Sequence, residues 1–472
     1  MRYAAIAAMV AVGGYVVAQQ IVSPHRRAVK LSVLVGLMAL MFRFDMVWSV
    51  YVFTMLFPFP SGISVGSTNS VLMTLIPLIW MVRATSTRSA LFKRTPLDLP
   101  ILVFFLIYIV SLINVDGDVA LKASIRILWT QLTAIAFFYM IVNFVDNEEK
   151  LNRFAIVIAV ACAFVMMTAV VELFFPGAVI IPGWIETAQQ LGAGKLRYRA
   201  EGIRVGGAFK SHGMLADFGT QTMLFMIYFA IRARNPILKA CWTGVSMMTL
   251  VAVLATANRG AGAGLALAVV LGLTFFGSRI SFHKRVLAVL AVVALFLTAE
   301  FLMEKYTVAS SLIDRFMATE FEGVVPETRQ NTWKPALIRS MEHPFIGHGP
   351  YYDTTRGLEQ ALWPHNGYIF YLHSIGILGL AAFFWVLQRV ASCSQIWRRK
   401  SIRKTRLGTL ATLGQIWLLV LAFEQLRTDH QRDDIYPYIL WMSFGFVVAG
   451  WHIIRKRLAE EEREAGATAS PS

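Results

Sequence analysis

The chain has 472 residues, 57% hydrophobic and 15% charged, with a mean hydropathy of +0.59. Soluble domains carry about 45–50% apolar and about 25% charged residues, so 44 Lys and Arg with 28 Asp and Glu are too few to coat two or three soluble cores. The composition is that of a polytopic membrane protein. It argues against a nucleic-acid binder as the reading of the +16 net charge, which is expected to follow membrane topology.

Apolar stretches long enough to cross about 30 Å of hydrocarbon run in chain order near 3–22, 29–57, 67–82, 97–113, 121–144, 154–175, 213–231, 236–256, 261–277, 286–303, 366–388, 407–426 and 436–454. The first reads as an anchor, not a cleavable leader, because further apolar segments follow at once. The second is interrupted by Arg43-Phe44-Asp45 and reads as one long tilted helix or two short ones. The expectation is an all-α, polytopic membrane domain of 13 or 14 transmembrane helices over residues 1–458, followed by a disordered cytoplasmic tail at 459–472. Cys162, Cys241 and Cys393 lie in or beside apolar segments with no CxxC pair, which speaks for small core residues over a disulfide framework or a zinc site.

The short connections carry the orientation. Residues 389–406 hold seven Lys and Arg and no acid, and 83–96 hold four, whereas Pro58–Gly66 holds no charge and Asn114–Ala120 holds two Asp. The positive-inside rule places the basic set, with Arg455-Lys456-Arg457, in the cytoplasm. Two long polar segments, 176–212 and 304–365, then fall on the extracytoplasmic side. In the second, Ser311 to Phe321 is amphipathic, and Glu327 to Met341 carries Trp333, Leu337 and Met341 at helical spacing before a break at His343-Pro344.

Charged groups concentrate on that outer face: Arg259 in the turn Thr256–Gly260, Arg204 in Gly202–Phe209, Arg329, and His365 in Trp363–Tyr368. Arginine forks match phosphate oxygens and stay charged at physiological pH. Two of them at a membrane surface suit a lipid-linked pyrophosphate. If the bond to be broken joins a sugar to pyrophosphate, the leaving group is already good, and no carboxylate pair of the glycosidase kind is needed. What remains is to neutralise the departing charge, which arginine does, and to take a proton from an attacking hydroxyl, which histidine does.

In order, Asn258-Arg259-Gly260, Arg329-x3-Trp333, His343-Pro344-Phe345-Ile346-Gly347-His348-Gly349, Pro364-His365-Asn366-Gly367-Tyr368 and Ser374-Ile375-Gly376-Ile377-Leu378-Gly379 resemble the O-antigen ligase and O-antigen polymerase superfamily over roughly residues 200–385. The resemblance implies a helical membrane glycosyltransferase fold of the GT-C kind. It also implies inversion at the anomeric carbon, no cofactor and no metal. The implied partners are an undecaprenyl-pyrophosphate-linked oligosaccharide donor, a glycan or lipid-linked acceptor, membrane lipid and a chain-length regulator protein. Arg259 and Arg329 match the pyrophosphate-binding arginines and His365 the proposed base, with Arg204, Asn366, Asn258, Trp333 and His348 as expected substrate-binding residues. The family usually has Ser where Asn258 stands and a small apolar residue where His348 stands.

The expected activity is a polysaccharide repeat-unit polymerase at the outer face of the bacterial inner membrane, with an O-antigen ligase acting on lipid A core or protein as the alternative. A transporter or flippase for lipid-linked glycans is the rival of another class; for it, Asp45, Glu172, Asp217, Glu300 and Glu424 would be ion sites. Plainer roles stand beside each assignment. Arg259 could snorkel to headgroups, Arg204 could belong to a solvated basic loop, Arg329 could pair with Glu327 or Glu322, and Asn366 could cap a helix. Asp45 could pair with Arg43 or Arg26, and Glu424 with Arg427.

Overall fold

A computed structural model describes residues 45–59, 62–63, 66–86, 92–174, 205–209, 211–276, 281–306, 313, 317, 321–322, 325–351, 364–398 and 400–469. The expected first span, the second as far as residue 44, Arg204 and most of the Ser311–Phe321 stretch lie outside them.

The described elements are helices: α1 Val47–Leu56, α2 Thr68–Ser86, α3 Asp98–Val110, α4 Asp118–Phe144, α5 Glu148–Phe174, α6 His212–Arg232, α7 Pro236–Ala255, α8 Arg259–Phe276, α9 Phe282–Tyr306, α10 Glu327–Ser340, α11 Gly367–Ser394, α12 Arg406–Glu424 and α13 Tyr436–Ala469. Two ribbons of two-residue strands are the exceptions, Gly62–Ile63 with Gly66–Ser67 and Phe321–Glu322 with Val325–Pro326, both antiparallel. Among the described residues eight helices are long and apolar enough to cross a membrane, and three shorter apolar ones accompany them. The chain is an all-α polytopic membrane protein.

Polar residues start the helices where the sequence leaves the apolar run. The Ser211 hydroxyl accepts from the Met214 amide, the Asn235 side chain accepts from the Ile237 amide just ahead of Pro236, and the Thr405 hydroxyl accepts from the Gly408 amide. Each satisfies an amide that has no partner inside its helix. The last helix runs to Ala469, where the sequence reading expects a disordered tail from 459. Its Glu and Arg residues are good helix formers, and Arg457 pairs with Glu461 one turn on.

Helix α13 is central: its apolar window is 89% buried, against 22% for α8 at the periphery. Tyr438 meets Phe53 at 5.2 Å and Trp441 meets Phe138 at 5.9 Å. Their polar tips are also partnered, Trp441 Nε1 to Gln131 Oε1 and the Tyr438 hydroxyl to Thr133. In a protein whose outside is hydrocarbon, such internal bonds are what polar side chains need. The acids of the spans divide by role. Asp45 pairs with Lys150 at 3.6 Å; Arg43 and Arg26, the partners expected from sequence, lie outside the described residues. Glu172 accepts from the Gly206 and Gly207 amides, which anchors the segment entering α6.

Candidate functional site

The turn between α7 and α8 is built to present Arg259. Ala257 takes a left-handed conformation with φ 47°, and the Asn258 side chain accepts from the Gly260 and Ala261 amides at 3.1 and 3.4 Å. Asn258 is thus the helix cap, a task that Asn and Ser perform about equally, so its departure from the family's Ser leaves the turn intact. Arg259 follows as the first residue of α8. A cation there opposes the helix dipole; the guanidinium and the helix N-terminus together favour an anion.

Behind this turn lies a buried charged network. Arg427, in the connection between α12 and α13, donates to the Asp217 carboxylate of α6 and to Asn258 Oδ1, and lies 3.4 Å from Glu424. Asp217 and Glu424 are fully buried, and Gln221 of α6 donates to Glu424. Burial works against the Arg427 charge, but Asp217 and Glu424 outweigh it and hold its pKa above the usual value. Gly260 is required by this packing, since a Cβ there would lie 2.2 Å from Arg427 Cδ.

Arg329 enters from α10, the helix expected from the spacing of Trp333, Leu337 and Met341. It is half-buried, and burial lowers its pKa; Arg427 and Arg259 lower it further while Asp429 raises it. All three groups thus lie near enough to Arg329 to act on its charge. Trp333 Nε1 donates to the Pro364 carbonyl at 2.7 Å and so ties the arginine-bearing helix to the residue preceding His365.

His365 has φ 47° and a ring 47% exposed. Its amide donates to Asp429 Oδ2 at 3.3 Å, and its Nδ1 lies 3.5 Å from Asp429 Oδ1. Asn366 fills the capping role that stands beside its substrate-binding assignment. Its Oδ1 accepts from the Tyr368 and Ile369 amides and caps α11, while its Nδ2 donates to the Leu426 carbonyl. The carboxylate that faces the imidazole is Asp429, which the sequence reading missed.

The structure therefore gathers Arg259, Arg329, His365, Asn258 and Trp333 around the 425–433 connection. His348 lies apart: its Nε2 sits 2.8 Å from the Arg339 carbonyl and its ring stacks on His373. Arg204 lies outside the described residues. Asp217, Arg427 and Asp429 were legible only as polar residues at the ends of spans, and Glu424 with Arg427 was expected as a plain ion pair.

Residues 223–384 match the family model described as O-antigen ligase. The match bears out the resemblance to the ligase and polymerase superfamily, and it supports a glycosyltransferase-like enzyme of the lipid-linked glycan ligase and polymerase class, acting in a membrane. The matched stretch holds Arg259, Arg329 and His365; Asp217, Arg427 and Asp429 fall outside it. No curated protein matches the chain.

Proposed function

We propose that this chain, as a membrane glycosyltransferase of the lipid-linked glycan ligase and polymerase class, is a repeat-unit polymerase working at the outer face of the bacterial inner membrane. What supports the reading is that His365 bonds to Asp429 and Asn258 to Arg427 of one connection, with Arg259 next to Asn258 and Arg329 within electrostatic reach of Arg259, Arg427 and Asp429. A transporter reading calls for charges distributed along a path. Here two of the intramembrane acids, Asp217 and Glu424, are consumed in holding Arg427.

The acceptor hydroxyl gives its proton to His365 Nε2, since Nδ1 is turned to Asp429. Its oxygen bonds to the anomeric carbon as the bond from that carbon to the pyrophosphate oxygen breaks, with inversion. The electron pair leaves on undecaprenyl pyrophosphate. Arg259 and Arg329, with the N-terminus of α8, meet that negative charge, a task that metal ions perform in many phosphoryl enzymes. Asp429 steadies the imidazolium while it carries the proton. The ring's exposure leaves room for a bulky acceptor, and the isoprenoid tail stays in lipid. Trp333 keeps the pieces in register, because it fixes Pro364 to the helix that bears Arg329.

The test is transfer from a lipid-linked donor by purified protein, with Arg259→Ala and His365→Ala verified as folded and inserted. Wild-type product from either variant would falsify the assignment. Supplying a lipid-linked repeat unit or a lipid A core as acceptor separates polymerase from ligase. The polymerase reading expects product growth on the former only.

A further inference from the structure

Helix α10 has a second face. Arg329, Trp333, Ala336 and Ser340 share one side by helical spacing, and Ala336 and Ser340 are buried. Lys334 and Ile338 fall opposite, and with Arg339 they wall a cleft of about 790 Å³. The facing wall is the turn between α3 and α4, with Asn114 and Asp116, and Glu342, His343 and Tyr351 complete the rim. This volume lies within the range of small-molecule sites, about 300–1,000 Å³.

The floor of the cleft is a built structure. The segment His343–Gly349 docks where α11 is broken at Gly376, whose φ is 67°. The His348 amide donates to the His373 carbonyl at 2.9 Å, the Gly349 amide to Ser374 at 2.9 Å, and the Ile377 amide to Pro344 at 2.8 Å. The two segments approach so closely that a Cβ on Gly376 would stand 2.3 Å from the Phe345 carbonyl carbon, and one on Gly347 2.4 Å from that of Ser374. This backbone pairing sets His348 flat on His373, with ring centroids 4.6 Å apart, and His343 edge-on at 4.7 Å. Burial holds the His348 pKa below its usual value, so its imidazole stays neutral near pH 7.

The lining decides the ligand class. Lys334 and Arg339 donate, Asp116 and Glu342 accept, and imidazole nitrogens do either. Two carboxylates make it a poor site for a phosphate, and the density of charge makes it a poor site for an acyl chain. A ligand with many alternating donors and acceptors, and with flat C–H faces to lie on rings, is a carbohydrate. We propose that this cleft is an oligosaccharide subsite that holds sugar residues remote from the bond being made. The proposal rests on the transferase reading above. The occupant is either the acceptor chain or the glycan of the donor, which share this chemistry.

The test uses full-length protein in nanodiscs. The probe is the set of lipid-free oligosaccharides released by partial hydrolysis of the polysaccharide that disappears when the gene is deleted. Saturation-transfer NMR is expected to show these fragments binding the wild type. The double variant Lys334→Ala with His343→Ala, both exposed side chains, is expected to bind them about fivefold or more weakly. In turnover the same variant should raise one KM by a similar factor with little change in kcat. A raised acceptor KM identifies the acceptor as occupant; a raised donor KM identifies the donor glycan. No fragment binding to the wild type, unchanged binding in the variant, or a fall in kcat alone would overturn the subsite. Arg329→Ala separates the two readings: it should retain fragment binding and lose transfer. Transfer that survives Arg329→Ala defeats the transferase reading, whatever the cleft does.

Discussion

The two sides of α10 use the same residue types to opposite ends. On one side Arg329 stands among Arg259, Arg427 and Asp429, and His365 presents a half-exposed ring backed by a carboxylate. On the other, Arg339 offers its carbonyl to His348, whose ring stacks on His373, and the carboxylate near it, Glu342 at 3.8 Å, is exposed where Asp429 is buried. A histidine is suited to act as a base where a buried acid orients and compensates it, and to form a binding surface where imidazoles lie flat. The difference lies in the neighbours, not in the residue.

The contrast is most exposed to the arginines. Arg259→Ala and Arg329→Ala are each expected to lower kcat by about 10³-fold or more, the scale of a guanidinium that meets developing phosphate charge. Arg339→Ala, on the cleft side of the same helix, should act on a KM by about tenfold or less. Initial rates with a lipid-linked donor decide this, and equal losses of kcat would erase the distinction between the two sides.

Stability comes next. Asp217→Ala leaves Arg427 buried with one carboxylate fewer, and should cost about 3–5 kcal/mol. Replacing Asp217, Glu424 and Arg427 together by apolar residues of similar volume should recover much of that loss. Thermal unfolding in detergent measures both, and the triple variant should still fold while losing activity, because the turn at Asn258 loses its support.

Asp429→Asn sharpens the histidine comparison. Losing an orienting carboxylate is expected to slow transfer about 10–100-fold at unchanged fragment binding in the cleft. Added imidazole should partly restore His365→Ala and leave Asp429→Asn unimproved. If Asp429→Asn matched wild type, the carboxylate would be structural only.

The smallest effect concerns His430, next to Asp429. Burial opposes its charge, yet a hydrogen bond to Asp433 and the charges of Asp217, Asp433 and Asp429 raise its pKa above the usual value near 6.5. A raised folded-state pKa means a contribution that is complete below about pH 6.5 and fades as pH climbs through the folded value. The thermal midpoint should therefore fall over that interval, and His430→Gln should flatten the trend.

Much of the architecture was legible in the chain. The apolar spans capped by Ser211, Asn235 and Thr405 became helices with ends within two residues of the expected ones, because hydrocarbon leaves a backbone few other ways to satisfy itself. Motif order pointed to Arg259, Arg329 and His365. The 424–434 stretch was not readable in the same way. Arg427, Asp429 and His430 look like any solvated turn, since a sequence records charge but not whether that charge is buried.

The 57% apolar content and the sparse charge thus determined a polytopic membrane bundle. Tertiary structure alone decided which acid faces His365, which acids hold Arg427, and that α10 carries Arg329 on one side and a cleft on the other. The reason is physical. Span and cap signals are local, set by periodicity within one helix. A buried carboxylate acquires its role only when α6, α12 and the 425–435 connection close around it and exclude water.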